Sequence, residues 1–295
     1  MTTNLLSAQT SMDAVTLYVR DIDKMVKFYT DAIALSVLDG EAGQAATADK
    51  RAGVVTLGRG STPIIVLRHE PNLPSAGSGQ AGLFHTAILF ETQTALAAVL
   101  TRVAQHAGSL FTGSADHLVS EAFYLNDPEG NGIELYWDRP RSTWSWDGDY
   151  VKMDTIYLDP NGFVAEHLTE SAQAQPELEA ATVGHVHLQV GDTEAAAQFY
   201  TDTLGFEATA KVPGALFVAA GGYHHHMAMN TWGSRGAGPR ASTLGLGEVS
   251  ILVPTQDEIA ALADRLKFHN VTSSQTGAAL VFNDPWNNQI AVSVG

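Results

Sequence analysis

Gly184-His185-Val186-His187-Leu188-Gln189-Val190 alternates between polar and apolar residues. As an extended strand it puts His185, His187 and Gln189 on one side and Val186, Leu188 and Val190 on the other. The apolar side packs into a core, and the two imidazoles face a cavity. Taken alone, the pattern fits two hydrogen-bonded histidines on a half-buried strand equally well. Repetition in the chain favours the cavity.

Lys27-Phe28-Tyr29-Thr30-Asp31 returns as Gln198-Phe199-Tyr200-Thr201-Asp202, 171 residues later. At the same offset the histidine strand falls on Met12 to Leu17, where it repeats without its histidines. A second pair, Asn126-Asp127-Pro128 and Asn283-Asp284-Pro285, leads from a turn into an alternating strand both times. These repeats divide the chain into four units, each predicted as β-α-β-β-β. The N-terminal half, 1–140, holds units at about 12–70 and 83–140. A linker follows at 141–181, carrying Trp144, Trp146, Pro160 and Gly162 and then an acidic, alanine-rich stretch. The C-terminal half, 182–295, holds units at about 183–232 and 246–295. The fold class expected is α+β, with small sheets that curl in pairs around shared cups.

The 295 residues are 45% hydrophobic, enough for about two domains with sizeable cores. Sixteen basic residues against 32 acidic ones give a formal net charge of -16, which argues against nucleic acid or an anionic membrane as the main partner. The opening Met1-Thr2-Thr3-Asn4-Leu5-Leu6-Ser7 lacks the basic start and apolar core of a signal peptide, so a cytoplasmic location is expected. With no cysteine, any metal must be held by nitrogen and oxygen.

Three stretches carry a resemblance: Gly184-His185-Val186-His187-Leu188, the run Gly221-Gly222-Tyr223-His224-His225-His226-Met227 continuing to Trp232, and Gly132-Ile133-Glu134-Leu135-Tyr136-Trp137-Asp138-Arg139-Pro140. Through them the chain resembles the vicinal oxygen chelate superfamily of glyoxalases, bleomycin-resistance proteins and extradiol dioxygenases. More narrowly, it resembles the two-domain catechol 2,3-dioxygenase branch. The resemblance implies metal ligands on the first and last strands of each unit. Those positions hold Ala14 in unit one, His85 and Glu134 in unit two, His185 in unit three, and Glu248 and Ala291 in unit four. Pairing in sequence order would leave both cups incomplete. Pairing unit two with three and one with four gives one cup with His85, Glu134 and His185, and a second cup that is metal-free. Two histidines and a carboxylate with open positions suit non-haem Fe(II); Mn(II), zinc or nickel accept the same donors.

The resemblance further implies a histidine near the Gly221-Gly222 pair that shuttles a proton. Strand alternation turns His224 and His226 into the cup and His225 away from it. His117 and Tyr124 match the family's catalytic pair in unit two. His187, Asn230 and Trp232 are assigned to the substrate. The expected activity is extradiol cleavage of a small aromatic diol by O2, in a homo-oligomer of this chain. The alternatives are a glyoxalase-type isomerase or lyase, with His224 or His226 as a fourth ligand, and a metal-free module that sequesters a drug.

Overall fold

The computed structural model describes residues 5–38 and 53–295. Module one comprises β1 (Ser11–Val19), α1 (Ile22–Asp31), β2 (Ser36–Val37), β3 (Val54–Arg59) and β4 (Thr62–His69). Module two comprises β5 (Gly82–Phe90), α2 (Gln93–His106), β6 (Phe111–Asp116), β7 (Ser120–Asn126) and β8 (Gly132–Asp138). The linker holds the short strands β9 (Trp146–Asp147) and β10 (Tyr150–Val151) and the helices α3 (Pro160–His167) and α4 (Glu170–Ala174). Module three comprises β11 (Ala181–Gln189), α5 (Thr193–Ala197), β12 (Glu207–Val212), β13 (Ala215–Ala219) and β14 (Met227–Asn230). Module four comprises β15 (Gly245–Val253), α6 (Gln256–Phe268), β16 (Ser273–Thr276), β17 (Ala279–Asn283) and β18 (Gln289–Val294). A π-helical turn, Gln198–Thr203, extends α5.

Each module's helix starts on a polar side chain that accepts a backbone N–H of the first turn. Asp21 takes Lys24, Thr92 takes Ala95, Asp192 takes Ala195 and Thr255 takes Glu258. Among the described residues no helix is long and apolar enough to cross a membrane.

The modules pair as two eight-stranded sheets. One runs β16-β17-β18-β15-β1-β4-β3-β2, joining modules four and one; the other runs β12-β13-β14-β11-β5-β8-β7-β6, joining three and two. The seams are the antiparallel pairs β1 with β15 and β5 with β11. The crossed pairing expected from the sequence is therefore the architecture. Val15, Leu17, Ile88, Val186, Leu188 and Val249 from both sheets meet in one continuous hydrophobic core.

The repeated motifs prove to be partners. The Tyr29 hydroxyl donates to Asp127 at 3.2 Å, and that of Tyr200 to Asp284 at 3.0 Å. Each aspartate also closes its own turn. Asp127 takes the backbone N–H groups of Glu129 and Asn131, and Asp284 those of Trp286 and Asn288. Each lock joins a module of one sheet to a module of the other.

The linker is more structured than a strap. Arg59, buried in module one, donates to the Pro176 and Glu179 carbonyls and so pins the linker's end. Asp116 and Ile156 exchange backbone hydrogen bonds, which lays the chain beside them over the module two and three cup.

Candidate metal centre

Three neighbouring strands build the cluster. Across the sheet, Ala87 of β5 lies opposite Glu134 of β8 on one side and His185 of β11 on the other. His85, two residues before Ala87, shares that face of β5. His85 Nε2 lies 3.0 Å from Glu134 Oε2 and 3.4 Å from His185 Nε2, and His185 Nε2 lies 3.1 Å from the same carboxylate oxygen. All three side chains are buried.

This triangle fits a divalent metal. Donors held about 2.1 Å from one ion at right angles lie about 3.0 Å apart. The donors come from one side, which matches the facial two-histidine, one-carboxylate arrangement with open positions opposite. Among the described residues, no other group of three or more histidine, aspartate or glutamate side chains converges in this way.

Burial would raise the Glu134 carboxyl, but the imidazoles of His185 and His85 outweigh it and hold the group well below its usual range. Burial pushes His185 down to about 4 despite Glu134 beside it. An ionised carboxylate and a neutral imidazole are the forms that bind metals. The Nδ1 of His185 is buried without a hydrogen-bond partner among the described residues.

A cavity of about 560 Å³ opens over the triangle. On one side stand His117 and Tyr124. His117 Nδ1 donates to the Asp154 carbonyl at 2.7 Å, so in the neutral ring Nε2 accepts from the Tyr124 hydroxyl at 2.6 Å. Burial, with the Glu134 charge added, keeps the Tyr124 phenol well above its ordinary pKa and protonated. On the other side, Phe84, Phe217 and Trp232 form an aromatic wall around His187. Asn230 Nδ2 donates to His187 Nε2 at 3.0 Å, and Asn230 Oδ1 takes the Trp232 N–H, which fixes the amide's orientation. Trp232 is 56% exposed at the mouth. The linker contributes Met153, Asp154 and Thr155 to the lining.

The histidine run departs from the expectation. His225 lines the cavity, its ring centroid 4.1 Å from that of His185, whereas His224 and His226 point elsewhere. Alternation would turn His224 and His226 inward only if the strand were regular, and β14 begins at Met227. Gly221 and Gly222, at φ +64° and +67°, break the extended chain just before the run. His226 folds back so that Nδ1 accepts the Ala220 N–H, and His224 Nε2 meets Asp138 at 2.8 Å. Neither supplies the fourth ligand expected of a glyoxalase-type site.

The sequence reading missed Tyr136 and Asp138, although both share a face of β8 with Glu134 at two-residue spacing. Tyr136 lies against His185, with ring centroids 5.0 Å apart. In the second cup Ala14 and Ala291 offer no donor, and burial raises the Glu248 carboxyl above its usual value.

The chain matches the Glyoxalase/Bleomycin resistance protein/Dioxygenase superfamily over residues 11–135 and 182–292. It is 37% identical over 278 residues to the catechol-2,3-dioxygenase of Bacillus subtilis (strain 168), covering 91% of this chain and 92% of that protein. A structure from B. subtilis subsp. subtilis str. 168, described provisionally as a dioxygenase, superposes with a TM-score of 0.63 at 12% identity, over 96% of this chain and 84% of that one. Glyoxalase I from Zea mays superposes with a TM-score of 0.56 at 14% identity, over 97% of this chain and 92% of that one. At such identities these two likenesses speak for the fold, and the sequence match over both halves decides the descent: the chain belongs to the glyoxalase, bleomycin-resistance and dioxygenase superfamily.

Proposed function

We propose that this chain is an extradiol dioxygenase, cleaving the ring of a catechol beside its two hydroxyls. One observation carries the reading: the triangle of His85 Nε2, Glu134 Oε2 and His185 Nε2 faces an apolar-walled cavity that His225 also lines. The B. subtilis catechol-2,3-dioxygenase supports it by its likeness over nearly the full length.

His85, Glu134 and His185 would hold Fe(II) or Mn(II). When bound there, the metal lets O2 react with a chelated catechol. The protein's own groups do the rest. His225, buried and neutral, takes a proton from a catechol hydroxyl and returns it later in the cycle. Tyr124, already donating to His117, presents its oxygen's free lone pair to a substrate hydroxyl. The carbon–carbon bond adjoining the diol breaks and both atoms of O2 enter the product, a hydroxylated semialdehyde acid.

The lining favours one kind of catechol. Phe84, Val119, Met153, Val212, Phe217 and Trp232 are apolar, and among the described residues no lysine or arginine faces the cavity and its carboxylates are Glu134 and Asp154. A cavity of about 150 Å³ takes a benzene ring, so 560 Å³ leaves room for a substituent. A carboxylated substituent would meet like charge without a partner. The substrate is accordingly a catechol carrying an uncharged, apolar group.

Anaerobic loading with Fe(II), followed by catechols and then oxygen, tests the reading. Oxygen uptake and a yellow ring-fission product are expected, with 3-phenylcatechol or 4-ethylcatechol favoured over 3,4-dihydroxybenzoate. A folded, iron-loaded protein inert to all of them would refute it.

A further inference from the structure

Behind His225 runs a chain of hydrogen bonds that metal binding does not use. Asp138, at the end of β8, receives the Tyr223 hydroxyl on one carboxylate oxygen and His224 Nε2 on the other, each at 2.8 Å. Tyr136 and Tyr223 join through their hydroxyls at 2.8 Å. Because Tyr223 spends its hydrogen on Asp138, Tyr136 is the donor of that pair. His224 is fully buried, and its Nδ1 stands 2.7 Å from His225 Nδ1.

Two ring nitrogens at 2.7 Å share one hydrogen, and Asp138 decides which of them carries it. A carboxylate only accepts, so His224 puts its hydrogen on Nε2, and a neutral imidazole has one to give. His224 Nδ1 is then a lone pair and must receive a hydrogen from His225 Nδ1. That leaves His225 Nε2 as a bare lone pair, without a protein partner among the described residues, on a ring that lines the cavity. We infer that Asp138 and His224 are positioning residues that fix the hydrogen of His225 on Nδ1 and keep its Nε2 free to take a proton from substrate.

The inference rests on the dioxygenase reading for its purpose, but the hydrogen's place on His225 can be measured without turnover. Long-range proton–nitrogen correlation spectra of histidine-labelled, metal-free protein distinguish ring nitrogens with and without hydrogen, and His225→Gln identifies the relevant signals. In the parent protein near neutral pH, His225 should carry its hydrogen on Nδ1. In Asp138→Asn the amide can turn its N–H toward His224 Nε2, so both histidines should switch and His225 should carry hydrogen on Nε2. In a serine-protease triad, the corresponding carboxylate-to-amide change leaves the geometry intact but costs roughly 10⁴-fold through the wrong tautomer. For the iron-loaded enzyme, Asp138→Asn should lower kcat by roughly 10²-fold or more, with KM and iron content little changed, and Asp138→Glu should restore part of the loss. A hydrogen on Nε2 of His225 in the parent protein would overturn the inference, as would Asp138→Asn retaining the parent tautomer and kcat. If Asp138→Asn fails to fold, the parent spectrum alone decides. An iron-loaded parent protein that turns over no catechol would sink the dioxygenase reading, while the spectrum would still decide where the hydrogen sits.

Discussion

Gly184→Ala tests how tightly the candidate centre is built into its sheet. Gly184 precedes His185 on β11, and a Cβ there would lie 1.7 Å from Tyr136 Oη, 2.7 Å from Tyr136 Cζ and 3.0 Å from Leu89 Cβ. Tyr136 is fully buried against Ala87 and Ala122, so it cannot move aside freely. Overpacking of this kind costs about 1–3 kcal/mol. If Tyr136 retreats and leaves Tyr223, a broken buried hydrogen bond adds about 1–3 kcal/mol more. A total of about 2–6 kcal/mol corresponds to a fall in Tm of roughly 3–12 °C for a chain of this size. Thermal unfolding of the metal-free protein measures it. The double variant with Tyr136→Phe removes the atom at 1.7 Å, so Gly184→Ala should cost at least about 1 kcal/mol less in that background. A single variant as stable as its parent, or strictly additive effects, would refute the packing argument.

Metal retention after gel filtration should be lost in His85→Ala, His185→Ala and Glu134→Gln but kept in Glu248→Ala; elemental analysis distinguishes the cases. Tyr29→Phe and Tyr200→Phe each leave a buried aspartate oxygen short of a donor and should each cost about 1–3 kcal/mol in urea unfolding. His226 is pushed down to about 3, chiefly by burial, while the unfolded chain titrates near 6.5. The folded state therefore binds fewer protons between these values, and this contribution to stability is complete above about 6.5 and lost as pH falls toward 3. Midpoints of urea unfolding should drop across that window, and less steeply in His226→Gln; equal slopes would refute the assignment.

The repeats made most of the fold legible, because each occurrence marks the same point in a β-α-β-β-β unit. The convergence of His85, Glu134 and His185 was legible too, since all three lie within strands and β11 pairs evenly with β5 from His185 to His187, where the two-residue period holds. His224 to His226 defeated the same rule because the period means nothing before the strand starts, and two glycines with positive φ precede the run. Asp138 and Tyr136 carried a readable signal in their spacing from Glu134. The linker's part carried none. Met153 to Thr155 reach the cavity through contacts with distant module two, the backbone pairing of Asp116 with Ile156 and the hydrogen bonds between His117 and Asp154.

The two sets of contacts also explain how one cup can lack a donor set while the fold persists. Tyr29–Asp127 joins module one to two, and Tyr200–Asp284 joins three to four. The β5–β11 seam joins two to three, and the β1–β15 seam joins four to one. The four modules thus form a closed ring in which seams and locks alternate. Neither lock contains a residue of the candidate metal centre. At the β1–β15 seam, module four carries Glu248 opposite Thr16, and Ala14 stands on β1 where β5 carries His85. That seam pairs along its length without histidine, so the metal donors are not what holds a cup together. Stability and chemistry are therefore separable here: losing the donors of one cup costs the ring no joint, while the other cup keeps a triangle whose geometry both halves of the chain must hold.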